Sequence, residues 1–261
     1  MDPFPELETL PLANPRGEKL SAVRAVPYRV IGMTAYQAER SLRQTVGELP
    51  ESGVDHLLVV DDWSLDWTVS LAHSLGLDVR TKPPNGGYGA SQKACYKEAL
   101  QLRATVVIPL HPHYQYDPRA VPRLIAPIVA DEADMTFRAC FADHADPRRG
   151  GMSTDRYYGN RLATWTDNGL LGTQFTETHS GMRAYSRAVL MAIPVDSFSD
   201  DFLFDTQMLV AVHKKGFRIA EGPIPTRYTR ASPSIGIRRS LVHVTQTIRE
   251  CRHARPTYGH D

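Results

Sequence analysis

The sequence predicts an α/β fold, a mostly parallel central sheet flanked by helices, and three observations lead there. Short apolar runs alternate along the chain with stretches of helical spacing about ten to fifteen residues long, the order that builds parallel strands with right-handed crossovers. The clearest run, Thr-Val-Val-Ile-Pro-Leu at residues 105–110, is β-branched and apolar, as in a strand covered on both faces. It ends in the polar cluster His111-Pro112-His113-Tyr114-Gln115-Tyr116-Asp117, and ligands of open α/β sheets bind just beyond the carboxyl ends of the strands.

Taken in order, residues 1–25 hold Pro3, Pro5, Pro11 and Pro15 without periodicity and read as an extended N-terminal arm. A first strand is expected over residues 28–35 and a helix over about 37–49. The second strand, 56–60, stops at Asp61-Asp62-Trp63-Ser64-Leu65-Asp66, and a helix runs on to about residue 75. A third strand over 77–81 leads to the loop Pro83-Pro84-Asn85-Gly86-Gly87-Tyr88-Gly89-Ala90 and a helix over about 91–102. After the 105–110 strand, Asp117-Pro118 starts the next helix, because proline suits a first turn and aspartate accepts from its free amides. A strand over 135–140 is followed by residues 141–155, too polar for core and read as a loop. A helix over about 156–171, a strand at 180–185, a helix near 202–214, a strand at 217–225 and an amphipathic closing helix over about 237–251 complete the pattern. The main domain is therefore expected over about 26–240, with a C-terminal helix and tail over 241–261.

With 261 residues and a formal net charge of +1, the chain has material for a large core and no charge excess that would suit nucleic acid. Arginines concentrate from Arg227 onward, at 227, 230, 238, 239, 249, 252 and 255, which fits a phosphate-bearing ligand better than a polymer. Cys95, Cys140 and Cys251 form no Cys-x-x-Cys pair, so a disulfide framework or cysteine zinc site is not indicated, and a cytoplasmic setting is expected. No apolar run approaches the roughly 18 residues of a membrane span, and the start does not resemble a signal peptide. Any membrane contact would be peripheral, and homo-oligomers stay open.

Five clusters can carry chemistry, and each has a plainer explanation. Asp61, Asp62 and Asp66 could accept from a base or from ribose hydroxyls, or cap a strand-to-helix turn. The glycine loop could admit a nucleotide to backbone amides, or be only a turn; it is neither Gly-x-Gly-x-x-Gly nor a P-loop. His111, His113 and Gln115 share one side of an extended segment and could ligate Mn²⁺ or Zn²⁺, or hydrogen-bond a ligand or the backbone. Asp201 and Asp205 would lie one turn apart on one helix face, where one could act as general base while Asp200 or Asp201 caps. Arg227, Arg230, Arg238 and Arg239 offer guanidinium forks for phosphate, or a solvated basic face.

These blocks, in this order, resemble the inverting family 2 glycosyltransferases, and within them the dolichyl or polyprenyl phosphate sugar synthases. The family's Val-Asp-Asp-x-Ser-x-Asp-x-Thr is matched by residues 60–68, its Asn-x-Gly-x-Gly loop by Asn85 to Ala90, and its Ser-Gly-Phe-Arg-Ala-Tyr by Ser180-Gly181-Met182-Arg183-Ala184-Tyr185. The resemblance implies a single GT-A (Rossmann-like) domain. It also implies donor contacts from Ala35, Tyr36, Asp61, Asp62, Asn85, Gly86, Gly87, Gly89, His111, Arg183, Arg227 and Arg230. Asp201 or Asp205 would serve the acceptor. The family's Asp-x-Asp metal motif falls on His111-Pro112-His113, followed by Tyr114-Gln115, so that His113 and Gln115 stand at the positions of a divalent ion, Mn²⁺ or Mg²⁺. Its Ile-Pro-x-Tyr-Asn-Glu is here Met33-Thr34-Ala35-Tyr36-Gln37-Ala38-Glu39.

Both aspartates of that motif are thus histidines, which leaves three outcomes: Mn²⁺ held by the histidines and Gln115, a metal-free enzyme using Arg227, Arg230 or protonated histidine, or lost catalysis. The reading adopted is a soluble transferase that moves a sugar from a nucleotide diphosphate donor to a hydroxyl or phosphate acceptor, either a small metabolite or a polyprenyl phosphate. Residues 141–158 would form a mobile lid. A catalytically silent nucleotide-sugar binding protein and a nucleotidyltransferase are the alternatives.

Overall fold

Residues 27–82, 86–112, 116–139, 148 and 151–224 are described by a computed structural model. Its strands are β1 (Arg29–Ala35), β2 (His56–Asp61), β3 (Asp78–Thr81), β4 (Val106–Leu110), β5 (Met135–Ala139), β6 (Arg183–Ser186) and β7 (Ile219–Pro223). They form one sheet in the order β3-β2-β1-β4-β6-β5-β7. All pairings are parallel except those of β6, which runs antiparallel between β4 and β5.

The central strands are mostly apolar because both faces are covered, and the period of two along β1 shows how. Val30 joins Leu58, Val107, Tyr96 and Phe204 on the face covered by α3 (Tyr88–Gln101) and α7 (Leu203–Lys214). Ile31, Met33 and Ala35 join Val59, Ile108, Leu42 and Leu124 on the other face, beneath α1 (Leu42–Gly47), α2 (Thr68–Ser74) and α4 (Val121–Val129). Two further helices, α5 (Thr154–Leu171) and α6 (Arg187–Ala192), precede and follow β6.

Three expectations change. The helix expected from residue 37 starts only at Leu42: Gln37 is held at φ 50°, outside the helical region, by a turn in which the amides of Gln37, Ala38 and Glu39 donate to Ser64 Oγ, Thr68 Oγ1 and Asp66 Oδ2. The direction of β6 and the short α6, capped by Ser186 Oγ on the Val189 amide, were not read from the periodicity. The helix after the glycine loop begins at Tyr88 and takes in part of that loop. Asp117 caps as expected, accepting from the Arg119 amide, though its first turn is 3-10 before α4. The N-terminal arm, most of residues 141–150 and the closing helix lie outside the described residues.

Gly32, at the centre of β1, is where sheet and α3 come closest, and a Cβ there would overlap Cys95 Sγ while lying 3.6 Å from Cys95 Cβ. Gly32→Ala should lower stability by about 1–3 kcal/mol through overpacking. Adding Cys95→Ala should recover most of that loss, read from urea midpoints at constant slope. Additive losses in the double variant would contradict this packing.

Candidate active site

The carboxyl edge of β2, β1 and β4 gathers the polar residues. Asp61 lies in register with Ala35 and Leu110 with Met33, so Asp61 and His111 flank the tip of β1 with Thr34 and Ala35 between them. They are second neighbours across β1.

The three acidic residues after β2 have different tasks. Asp66 accepts from the Thr68 amide at 3.0 Å, in the turn that leads into α2. Asp62 is buried and fully engaged, accepting from the Gly86 amide at 3.1 Å, Ser91 Oγ at 2.9 Å and Lys82 Nζ at 2.9 Å, which ties β2 to the start of α3. Asp61 is 0% exposed; its Oδ2 accepts from the Ser64 amide at 3.0 Å, while its Oδ1 is buried without a partner. An unpaired buried carboxylate oxygen costs stability and is an acceptor awaiting a donor.

Gly87 and Gly89 are glycines because another backbone lies against them. Gly87 has φ 96°, a Cβ there would lie 2.7 Å from the Asp200 carbonyl oxygen, and one on Gly89 would overlap the Ser199 carbonyl. The Gly89 amide donates to Asp200 O at 2.7 Å, and Lys93 Nζ reaches Asp200 Oδ1 at 2.9 Å. The helix start is thereby clamped to the segment leading into α7.

That clamp assembles a hydrogen-bonded run across three elements. His111 Nδ1 is 2.8 Å from Thr34 Oγ1, and its Nε2 is 3.2 Å from both Tyr88 Oη and Gln92 Nε2. Tyr88 Oη donates to Asp205 Oδ2 at 2.7 Å, and its ring stacks on Phe202 at 4.8 Å. Burial pushes the Asp205 carboxyl above the ordinary carboxylate range, against the opposing pull of the Arg183 guanidinium and the Tyr88 hydrogen bond. Burial and the facing carboxylate push the Tyr88 phenol well upward, so it stays the donor. Asp201 does not share this face: it precedes α7, is exposed, and its Oδ1 accepts from the Phe202 amide at 2.8 Å. The expectation that both aspartates face one way is corrected: the Asp201 side chain turns back on the Phe202 amide while Asp205 reaches Tyr88.

Arg183 is buried, and its guanidinium donates to the carbonyls of Ser180 at 2.8 Å, Asp205 at 2.6 Å and Thr178 at 3.2 Å. Burial works against its charge, but Asp205, Tyr185 and Tyr88 together outweigh this and raise its pKa. The loop it braces carries Gly181, where a Cβ would lie 3.1 Å from Tyr116 Oη, 3.5 Å from Tyr88 Oη and 3.8 Å from Asp205 Oδ2. Beyond it lie a buried Arg138–Glu177 pair at 3.2 Å and His179 at 3.1 Å from Asp167. Tyr88, Gln92, Thr34 and this second group were absent from the sequence-derived site. The signal that could have found them is the polar run Thr176-Glu177-Thr178-His179-Ser180, too polar for the buried segment it is.

Ala35 is buried and accepts from the Asp62 amide at 2.8 Å, whereas Tyr36 is exposed. Asn85, His113, Gln115, Arg227 and Arg230 lie outside the described residues, as do 141–147 and 149–150 of the expected lid, whose last residues form the first turn of α5. For a divalent ion, His111 is no open ligand, since both ring nitrogens are engaged. No cluster of three or more His, Cys, Asp or Glu suited to a metal occurs among the described residues. His113 and Gln115, the residues expected to hold the ion, lie outside the described residues, and no step is derived through it.

A mostly parallel sheet with its polar groups at the carboxyl edge defines an α/β protein whose candidate site lies at that edge. The sequence matches the model of Glycosyl transferase family 2 over residues 30–193, and the chain belongs to that family. It is 26% identical over 216 residues to the polyprenol monophosphomannose synthase of Mycolicibacterium smegmatis, covering 80% of each chain. It is 22% identical over 219 residues to the UDP-N-acetylglucosamine–dolichyl-phosphate N-acetylglucosaminyltransferase of Methanococcus voltae, covering 77% of this chain and 86% of that one. The glucosyl-3-phosphoglycerate synthase of Mycobacterium tuberculosis, solved with UDP, has the same GT-A fold, with a TM-score of 0.67 at 18% identity over 89% of this chain and 82% of that one. A second structure of that synthase contains Mn²⁺, UDP and glucosyl-3-phosphoglycerate. No helix among the described residues is long and apolar enough to cross a membrane.

Two alanine substitutions in helices should act with opposite sign. Gly89→Ala should lose about 1–3 kcal/mol by forcing the Ser199 carbonyl away. Gly159→Ala, where nothing lies within 4 Å of the added Cβ, should gain about 0.5–1 kcal/mol from helix propensity. Thermal melts of both variants check this.

Proposed function

We propose that the chain transfers a sugar, with inversion, from a nucleoside diphosphate donor to a hydroxyl or phosphate oxygen. The observation that carries this reading is the run Thr34–His111–Tyr88–Asp205, which links a carboxyl of raised pKa to the strand edge where Asp61 keeps an unpaired acceptor. In this reading Asp61 Oδ1 accepts the ring N–H of the base, beside Ala35, Tyr36 and the Asn85–Gly89 loop. The diphosphate lies toward His111, and Arg227 and Arg230 balance the charge that grows as it leaves. Asp62 and Arg183 act by bracing the loops around the donor.

Asp205 is the base in preference to Asp201. A hydroxyl acceptor attacks the anomeric carbon, its proton passes to the Asp205 carboxylate, and the bond to the nucleoside diphosphate breaks on the opposite face. A phosphate acceptor is the second reading, favoured by the two relatives named for polyprenol and dolichyl phosphate. Its oxygen is already ionised and needs no base, so the importance of Asp205 separates the two.

With a hydroxyl acceptor, Asp205→Asn should lower kcat by about 10²–10⁴ with little change in donor KM. The base works only when ionised, so activity should fall as pH drops through a value above 3.8, the ordinary one for aspartate. Asp61→Asn, which turns an acceptor into a donor, should weaken donor binding by roughly tenfold or more. Nucleotide release from a panel of nucleotide sugars measures both, and no release on any donor would refute the reading. The same assay in EDTA assigns the leaving-group charge. Retained activity points to the arginines, and loss restored by Mn²⁺ points to His113 and Gln115.

A further inference from the structure

The loop between β2 and α2 turns its chemistry inside out. Trp63, Leu65 and Trp67 are 49%, 81% and 74% exposed, while Ser64 and Asp66 between them turn inward. Loops on soluble proteins ordinarily face their polar side chains outward. Here the inward groups are bonded: Ser64 Oγ accepts from the Gln37 amide at 2.9 Å, Asp66 from the Glu39 amide at 3.3 Å, and the Trp67 amide donates to Glu39 Oε2 at 3.1 Å. Trp63 is held at φ 64°, a conformation that a bulky residue keeps only when its surroundings impose it. The three apolar side chains are therefore displayed by a fixed backbone.

Their neighbours suit one kind of partner. Tyr36, 41% exposed, stands at the adjoining tip of β1. Arg40 lines a cleft together with Leu65, Gln37, Glu39 and Asp66, and Arg43 is exposed on α1, which packs against α2. Indole and phenol rings favour the headgroup level of a bilayer, and arginines beside them favour anionic lipid. Applying the exposures to the about 150–250 Å² of an aromatic side chain gives an apolar patch of roughly 500 Å².

We propose that this face docks the protein on an anionic bilayer surface, with Trp63, Leu65 and Trp67 entering the interface and Arg40 and Arg43 on lipid phosphates. The inference stands apart from the transfer reaction, and its test needs no sugar.

The full chain, sedimented with vesicles of phosphatidylcholine alone or mixed with phosphatidylglycerol, should bind the mixed vesicles preferentially and release in high salt. With Trp165, the remaining one of 3 tryptophans, replaced in Trp165→Phe, emission should shift to the blue on binding. The double variant Leu65→Ser, Trp67→Ser should lose about tenfold in bound fraction at an unchanged melting temperature. Binding equal in parent and double variant would assign it to another surface and overturn the proposal, as would no binding to either vesicle. A dimer in size-exclusion chromatography that the double variant dissolves would place a second copy on this face and overturn it too.

Discussion

The Gly89 amide on the Asp200 carbonyl, at 2.7 Å, is the contact on which the site is built. Two backbones approach that closely only because Gly87 and Gly89 carry no side chain. The consequence is positional: Tyr88, between the two glycines, comes within 2.7 Å of Asp205 on α7 and 3.2 Å of His111 beyond β4. Groups more than ninety positions apart in sequence thus meet with little freedom left, which is what preorganised chemistry requires.

The surrounding charges follow from the same need. Buried ions are costly, and apolar side chains would pack at least as well in their place. Arg183 offsets its own burial by donating to the carbonyls of Thr178, Ser180 and Asp205, which fixes the loop carrying Gly181 opposite the Asp205 carboxyl. Arg138 and Glu177 brace the far side of that loop. The apolar alternative would leave Asp205 without the cation that keeps its raised pKa within a usable range.

Much of the fold was legible because the core strands announce themselves. The runs at β1, β2 and β4 are covered on both faces and read as continuous apolar segments, so the parallel half of the sheet follows from them. The direction of β6 did not, since a four-residue strand has the same alternation either way up. The site was legible where a strand ends, at Asp61 and His111. It was not legible where a local partner sets a side chain's direction: Asp201 turns to the Phe202 amide while Asp205 turns to Tyr88. Tyr88 was hidden inside a glycine loop whose glycines answer to the Ser199–Asp200 backbone.

Asp61 and His111 are held on either side of the β1 tip, and the central claim is that this edge grips one nucleotide. A crystal structure of the protein soaked with UDP tests it most directly. The account predicts the uracil edge against Asp61 Oδ1 and the diphosphate extending past Thr34 toward His111. UDP bound elsewhere, or Asp61 Oδ1 still buried and unpaired beneath a bound nucleotide, would contradict it.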